Sequence, residues 1–273
     1  MKRNVTRIIF LIIAIACFGY VGWYYYDMKR TEGDVSALSS RMGTTGKVPG
    51  GTPGSTDITT ETAGSDEDDE IEEGQRALFV LPDFEPLLDK NQNIIGWIAI
   101  DGTKVNYPVM QSINGDSNYY LNHNFDQQED KNGSLFLDDR CDVIKPTANL
   151  IIYGHHMRSG AMFGDLDNYK SESFYKAHPY IVFNSLYETG TWAVMAAFES
   201  KVYTDADIGF RYYDFIDPQT EKEFKNGVKN MKSLSMYDTG VDAVWGDRLI
   251  TLSTCDYEEE NGRFVVVAKK IAE

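Results

Sequence analysis

From residue 94 to the C-terminus the chain gathers its large apolar residues into eight short runs: IIGWIAI, VNYPVMQ, GSLFLD, NLIIYG, YIVFN, TWAVMAAFESKV, RLITLSTC and RFVVVAKK. Runs this short, rich in β-branched and aromatic side chains and bounded by turn residues, read as strands. Eight such strands imply a barrel or a sandwich, and the DGTK between the first two reads as a hairpin turn. Helical patterns sit around them. FEPLLDKNQ is a short helix ahead of the first strand, and MFGDLDNYKSESFYKAH holds one or two helical turns. DPQTEKEFKNGVKNMKSL is the clearest helix, with Asp217 as N-cap, Pro218 at the first position and Phe224, Val228 and Met231 on one face. It lies between two strands and so decorates a β core. No internal repeat and no second linker divides residues 78–273, which read as one mostly β domain.

The part before residue 78 has a different composition. Lys2, Arg3 and Arg7 precede an uncharged stretch over 8–26, long enough to span about 30 Å of hydrocarbon as a helix. Its length and the aromatic residues Trp23 to Tyr26 favour a single-pass anchor over a cleaved signal peptide. The basic residues at 1–7 then place the N-terminus in the cytoplasm and everything beyond the span outside the cell. Cys17 is read as a small residue facing lipid. Residues 27–77 are rich in Gly, Ser, Thr and acid and poor in large apolar groups, so they cannot bury enough surface to offset their chain entropy and read as a tether. Much of the net charge of −16 sits there. That acidity argues against nucleic acid, whose phosphates need clustered Lys and Arg.

The chemistry concentrates in LITLSTCDYEEENGRFVVVAKK, residues 249–270. Along a strand, Ile250, Leu252 and Thr254 face one way while Thr251, Ser253 and Cys255 face the other. The apolar set is expected in the core, and Cys255 at the end of the more polar face. If residues 256–262 form the connecting loop, Cys255 and Arg263 become cross-strand neighbours, with β-carbons about 5 Å apart. A cation there favours the thiolate and offers donors to an oxyanion. A nucleophilic cysteine also needs a proton-transfer partner. His155 and His156, in NLIIYGHHM, follow a buried strand on a turn opened by Gly154, whereas His123 and His178 sit among aromatic residues in packing or surface roles. The adjacent pair makes a poor metal site, because sequence neighbours point apart and no further ligands cluster nearby. No metal and no organic cofactor is expected. Cys141, in DDRCDV, lies among acids that raise a thiol pKa and reads as structural. A disulfide between Cys141 and Cys255 is the bland alternative for an extracellular domain.

TLSTC with a downstream Arg, and YGHHM about 100 positions earlier, resemble the sortase family of cysteine transpeptidases. The resemblance covers residue 78 to the C-terminus, and the anchor and tether are consistent with it. Class B members are the most similar: LSTCDY, the YGH turn followed by MFGDL, and a long helix before the cysteine strand are shared features. The resemblance implies a closed eight-stranded β-barrel with peripheral helices. It implies Cys255 as nucleophile, His155 as acid and base, and Arg263 as stabiliser of substrate and tetrahedral intermediate. His156 stands where class members often carry Asn, so the choice of His155 rests on the resemblance. Ser253, Asp256 and Leu121 are expected to contact the peptide. The substrates implied are surface proteins with a C-terminal sorting motif of the Asn-Pro-x-Thr type, cut after Thr through a thioacyl enzyme. The acceptor implied is an amine of a cell-wall precursor or a pilin lysine. A hydrolytic cysteine peptidase using the same three residues, and a non-enzymatic tethered surface module, are the alternatives.

Overall fold

A computed structural model describes residues 13–22, 26, 29, 36–39, 78–112, 115–204, 207–255 and 261–272, with the backbone alone at 255 and 272. They fall into two units, one within Met1–Thr45 and one within Gly46–Glu273. In the first, residues 13–22 and 36–39 are helical. Among the described residues no helix is long and apolar enough to cross a membrane. Ten residues rise about 15 Å, half of a hydrocarbon core of about 30 Å. This corrects the expected single-pass anchor over 8–26, the cytoplasmic N-terminus and the extracellular placement derived from it; residues 8–12 and 23–25 lie outside the described residues. So does most of the expected tether, 27–77.

In the second unit eight strands close into a barrel. They are β1 (Ile94–Ala99), β2 (Asn106–Met110), β3 (Leu135–Leu137), β4 (Asn149–Gly154), β5 (Tyr180–Ser185), β6 (Thr191–Lys201), β7 (Leu249–Cys255) and β8 (Gly262–Ala272). Their order around the barrel is β1-β2-β3-β4-β7-β8-β6-β5, and β5 pairs with β1 to close it. Each of the eight apolar runs supplies one strand. Closure removes the sheet edges that would otherwise present unpaired backbone groups. β1 and β2 form the expected hairpin, with Gly102 at φ +72° in its turn.

Two registers position the rim. β4 and β7 run parallel, with Tyr153 beside Ser253 and Gly154 beside Thr254. β7 and β8 run antiparallel, with Cys255 opposite Arg263. The C-terminal ends of β4 and β7 and the start of β8 therefore meet at one end of the barrel. β7 departs from the expected alternation, because every residue from Leu249 to Thr254 is buried. It is a central strand with covered faces, as parallel-paired strands are. Leu249, Val265 and Val267 pack beneath Phe224, Val228 and Met231 of the helix Glu221–Leu234, together with Tyr212 and Phe215. That helix begins later than expected: its N-cap is Thr220, whose side chain accepts from Glu223 N. Asp217 instead accepts from Ala148 N at 3.3 Å and from Gln219 Nε2 at 3.2 Å. Its apolar face is the one expected.

Gly154, the last residue of β4, sits so close to Leu135 and Phe163 that a Cβ would run into both side chains. A β-carbon there has to displace two buried side chains, Leu135 and Phe163, both 0% exposed. Gly154→Ala is expected to cost about 1–3 kcal/mol of folding stability, the usual cost of overpacking a core. Urea unfolding monitored by tryptophan fluorescence measures it, and an unchanged midpoint contradicts the close packing.

Candidate active site

His155 is the first residue beyond β4, and its ring Nε2 lies 2.8 Å from the carbonyl oxygen of Leu121. A carbonyl can only accept, so the proton of the neutral ring belongs on Nε2 and Nδ1 is left as the basic atom. Leu121 ends the 3-10 helix Tyr119–Leu121, whose preceding ring, Tyr120, is buried and accepts from Asn91 Nδ2 at 3.0 Å and Asn93 Nδ2 at 2.9 Å. The imidazole is thus oriented by a backbone group on a firmly packed turn.

His156 turns elsewhere. Its Nε2 is 2.7 Å from Asp167 Oδ2, on the 3-10 helix Gly164–Lys170, and its backbone bridges Met162. The loop also returns to its start, because Phe163 N donates to His155 O at 3.0 Å. The adjacent histidines point to different partners, as neighbouring residues do when one is at a strand end. His123 stacks on Tyr119 at 3.9 Å, and His178 packs on Phe174 at 4.3 Å while its Nδ1 meets Asp101 O at 2.8 Å.

The end of β7 adjoins a cavity of about 300 Å³. It is lined by Leu121, Phe136, Tyr153, Ser253, Thr254 and Arg263. Val202, Tyr212 and Tyr213, from the segment after β6, line it as well. Arg263 is half-buried, donates through Nη1 to Gly262 O at 2.8 Å, and pairs with no carboxylate among the described residues. Ser253 is 1% exposed and its Oγ lies 2.7 Å from the Tyr212 hydroxyl. Leu121 borders the cavity, and its carbonyl also holds His155. Cys255 stands opposite Arg263 by backbone register; Asp256 lies outside the described residues.

Cys141 is a free, buried thiol, so it does not form a disulfide with Cys255. Its Sγ donates to Asn149 O and accepts from Ile151 N, both at 3.4 Å. Burial, more than the neighbouring Asp138 charge, pushes this thiol up to about 12. It is a structural residue, as the sequence indicates, with desolvation rather than acidity as the leading reason.

Sequence reasoning missed a polar group beneath the cavity. The Asp138 carboxylate is 7% exposed and accepts from Arg140 Nε at 2.9 Å, Arg140 Nη2 at 2.8 Å and the Tyr153 hydroxyl at 3.0 Å. Burial pushes this carboxyl up, but the Arg140 fork and the Tyr153 hydroxyl outweigh it and hold Asp138 below its ordinary value. Tyr153 is raised by burial and by Asp138, and stays a protonated donor. The only signal in the sequence was DDR following an apolar run. Tyr212 and Tyr213, which line the cavity, were also missed.

A family model described as the sortase domain matches residues 98–271. Sortase B of Staphylococcus aureus (strain NCTC 8325 / PS 47) is 35% identical over 195 residues, which cover 70% of this chain and 76% of that protein. The structure of a Staphylococcus aureus sortase B-substrate complex is 34% identical with a TM-score of 0.63, covering 70% of this chain and 86% of that one. A sortase B complexed with triglycine is 34% identical with a TM-score of 0.62, covering 70% of this chain and 86% of that one. The barrel with cysteine, histidine and arginine positions at one rim defines a cysteine transpeptidase of the surface-protein-sorting type. The chain belongs to the sortase family, within its class B.

A carboxyl held low stabilises the fold fully above its unfolded pKa, and that contribution fades as pH falls through the lower folded value. Asp138→Asn is therefore expected to be less stable at pH 7 by about 2 kcal/mol, the scale of a hydrogen bond to a charged group. The gap to the unmodified protein should narrow below about pH 4 as Asp138 takes up a proton. Urea titrations between pH 7 and 3 measure it; a gap that is constant with pH contradicts the assignment.

Proposed function

We propose that Cys255 is the nucleophile, His155 the general acid and base, and Arg263 the stabiliser of the tetrahedral intermediate. In this reading the thiolate of Cys255 attacks the Thr carbonyl, in the peptide bond that follows Thr of a C-terminal sorting motif of the Asn-Pro-x-Thr type. The negative charge that develops on the carbonyl oxygen is met by the Arg263 guanidinium. His155, protonated on Nδ1, gives that proton to the departing amine, leaving a thioacyl enzyme. An incoming amine, from a cell-wall precursor or a pilin lysine, then loses its proton to Nδ1 and takes the acyl group, releasing the thiolate. Ser253, Asp256 and Leu121 contact the peptide, and residues 78–273 form the catalytic domain.

The observation that carries this reading is the pair of registers, Gly154 beside Thr254 and Cys255 opposite Arg263, combined with the Leu121 carbonyl that leaves Nδ1 of His155 basic. The substrate and triglycine complexes of related sortase B proteins support a sorting peptide and an amine as the two partners. The choice of His155 over His156 is supported by the Asp167 contact, which directs the second ring to the Gly164–Lys170 turn.

Incubating the protein with an Asn-Pro-x-Thr sorting peptide and triglycine tests the reading. A ligated product that rises with triglycine concentration is expected, and hydrolysis alone at every concentration rejects transpeptidation. His155→Ala should lower kcat/KM by about 10²–10⁴, the range of general acid and base catalysis, while His156→Ala keeps it within about tenfold. The opposite ranking overturns the assignment.

A further inference from the structure

Arg140 reaches two parts of the chain that are otherwise separate. Its Nε and Nη2 grip both oxygens of Asp138, immediately after β3. Nη2 also donates to Tyr213 O at 2.8 Å, and Nη1 lies 3.6 Å from Asp214 Oδ1. Asp138 in turn anchors the hydroxyl of Tyr153, whose ring lines the cavity from the β4 side. Tyr213, of the segment after β6, also lines the cavity, and its hydroxyl accepts from Tyr203 N at 3.0 Å, which ties the start of that segment to it. One bidentate guanidinium thus links two segments that line the cavity, and among the described residues none of its bonds goes to His155 or Arg263.

We infer that Asp138 and Arg140 are positioning residues that fix two cavity-lining residues relative to each other, Tyr153 of β4 and Tyr213 of the segment after β6, and thereby set which sorting peptides fit. This rests on the reading of the cavity as the peptide groove. A guanidinium suits the task, because its planar fork holds a carboxylate at two points while a third direction stays free for a carbonyl. A lysine can serve one of those acceptors well but not all three. The clasp acts before chemistry, so its loss belongs in binding of the cognate peptide and in discrimination against bulkier ones, and not in turnover of bound substrate.

Steady-state kinetics of Arg140→Gln, Arg140→Lys and Val202→Trp with the sorting peptide and triglycine test this. Arg140→Gln is expected to raise KM about tenfold with kcat within about threefold, as loosened positioning of a substrate site does. Arg140→Lys should fall between it and the unmodified protein. Peptides with tryptophan in place of the x residue should be rejected less strongly by Arg140→Gln than by the unmodified protein. Val202→Trp, which fills the cavity, should raise KM whether or not the clasp matters. A raised KM in Val202→Trp with an unchanged KM in Arg140→Gln overturns the clasp and leaves the groove. An unchanged KM in Val202→Trp overturns the groove and the clasp with it. A fall in kcat at constant KM in either Arg140 variant also overturns the clasp. If Arg140→Gln does not fold, Arg140→Lys decides by the same split, with a rise of about threefold expected and no rise as refutation.

Discussion

The parallel pairing of β4 with β7 is the constraint on which the rest of this molecule depends. A tight turn cannot join such a pair; it requires a long crossover, here the whole stretch from His155 to Arg248. That stretch carries two further strands of the same barrel and the helix Glu221–Leu234, which packs on Leu249, Val265 and Val267. Because parallel strands point the same way, whatever follows β4 and whatever ends β7 emerge side by side, on strands about 4.8 Å apart. The antiparallel return of β8 adds a third position to the same rim. Topology alone brings an imidazole, a thiol position and a guanidinium together, and local hydrogen bonds then refine them.

Packing on the outer face of β7 explains why this rim is stable enough to host chemistry. Thr251 Oγ1 donates to Asn149 Oδ1 at 2.9 Å, and Asn149 Nδ2 donates to Phe215 O at 2.7 Å, so these two buried polar side chains find partners. Ser253 and Tyr212 satisfy one another nearer the rim. A buried hydroxyl without a partner costs about 1–3 kcal/mol, and these pairs avoid that cost while fixing the 210–215 segment over the strand. The same segment then serves as one wall of the cavity. Scaffold and groove are built from the same residues.

Much of this was legible in the sequence because strands and hairpins announce themselves locally. All eight apolar runs became strands, and the opposition of Cys255 and Arg263 followed from assuming the loop 256–262. The apolar stripe of Phe224, Val228 and Met231 was equally plain. Its start was not, since Asp217 and Thr220 are both good caps and only the local backbone decides between them. The polar face of β7 misled, because alternation presumes solvent on one side and the crossover covers it. The uncharged stretch 8–26 looked long enough to span a bilayer, yet the helix among the described residues there covers 13–22. The Asp138 and Arg140 clasp gave no pattern to read: its two ends, Arg140 and Tyr213, lie 73 positions apart and one of the contacts is to a backbone carbonyl.

Trapping the acyl enzyme tests most directly whether the β7–β8 rim is where substrate is held covalently. The protein mixed with sorting peptide, quenched in acid and digested, should carry the acyl mass on the fragment containing Cys255 and none on the fragment containing Cys141. Turnover without any adduct on the Cys255 fragment, or an adduct on another residue, would contradict the convergence of strand ends as the origin of activity.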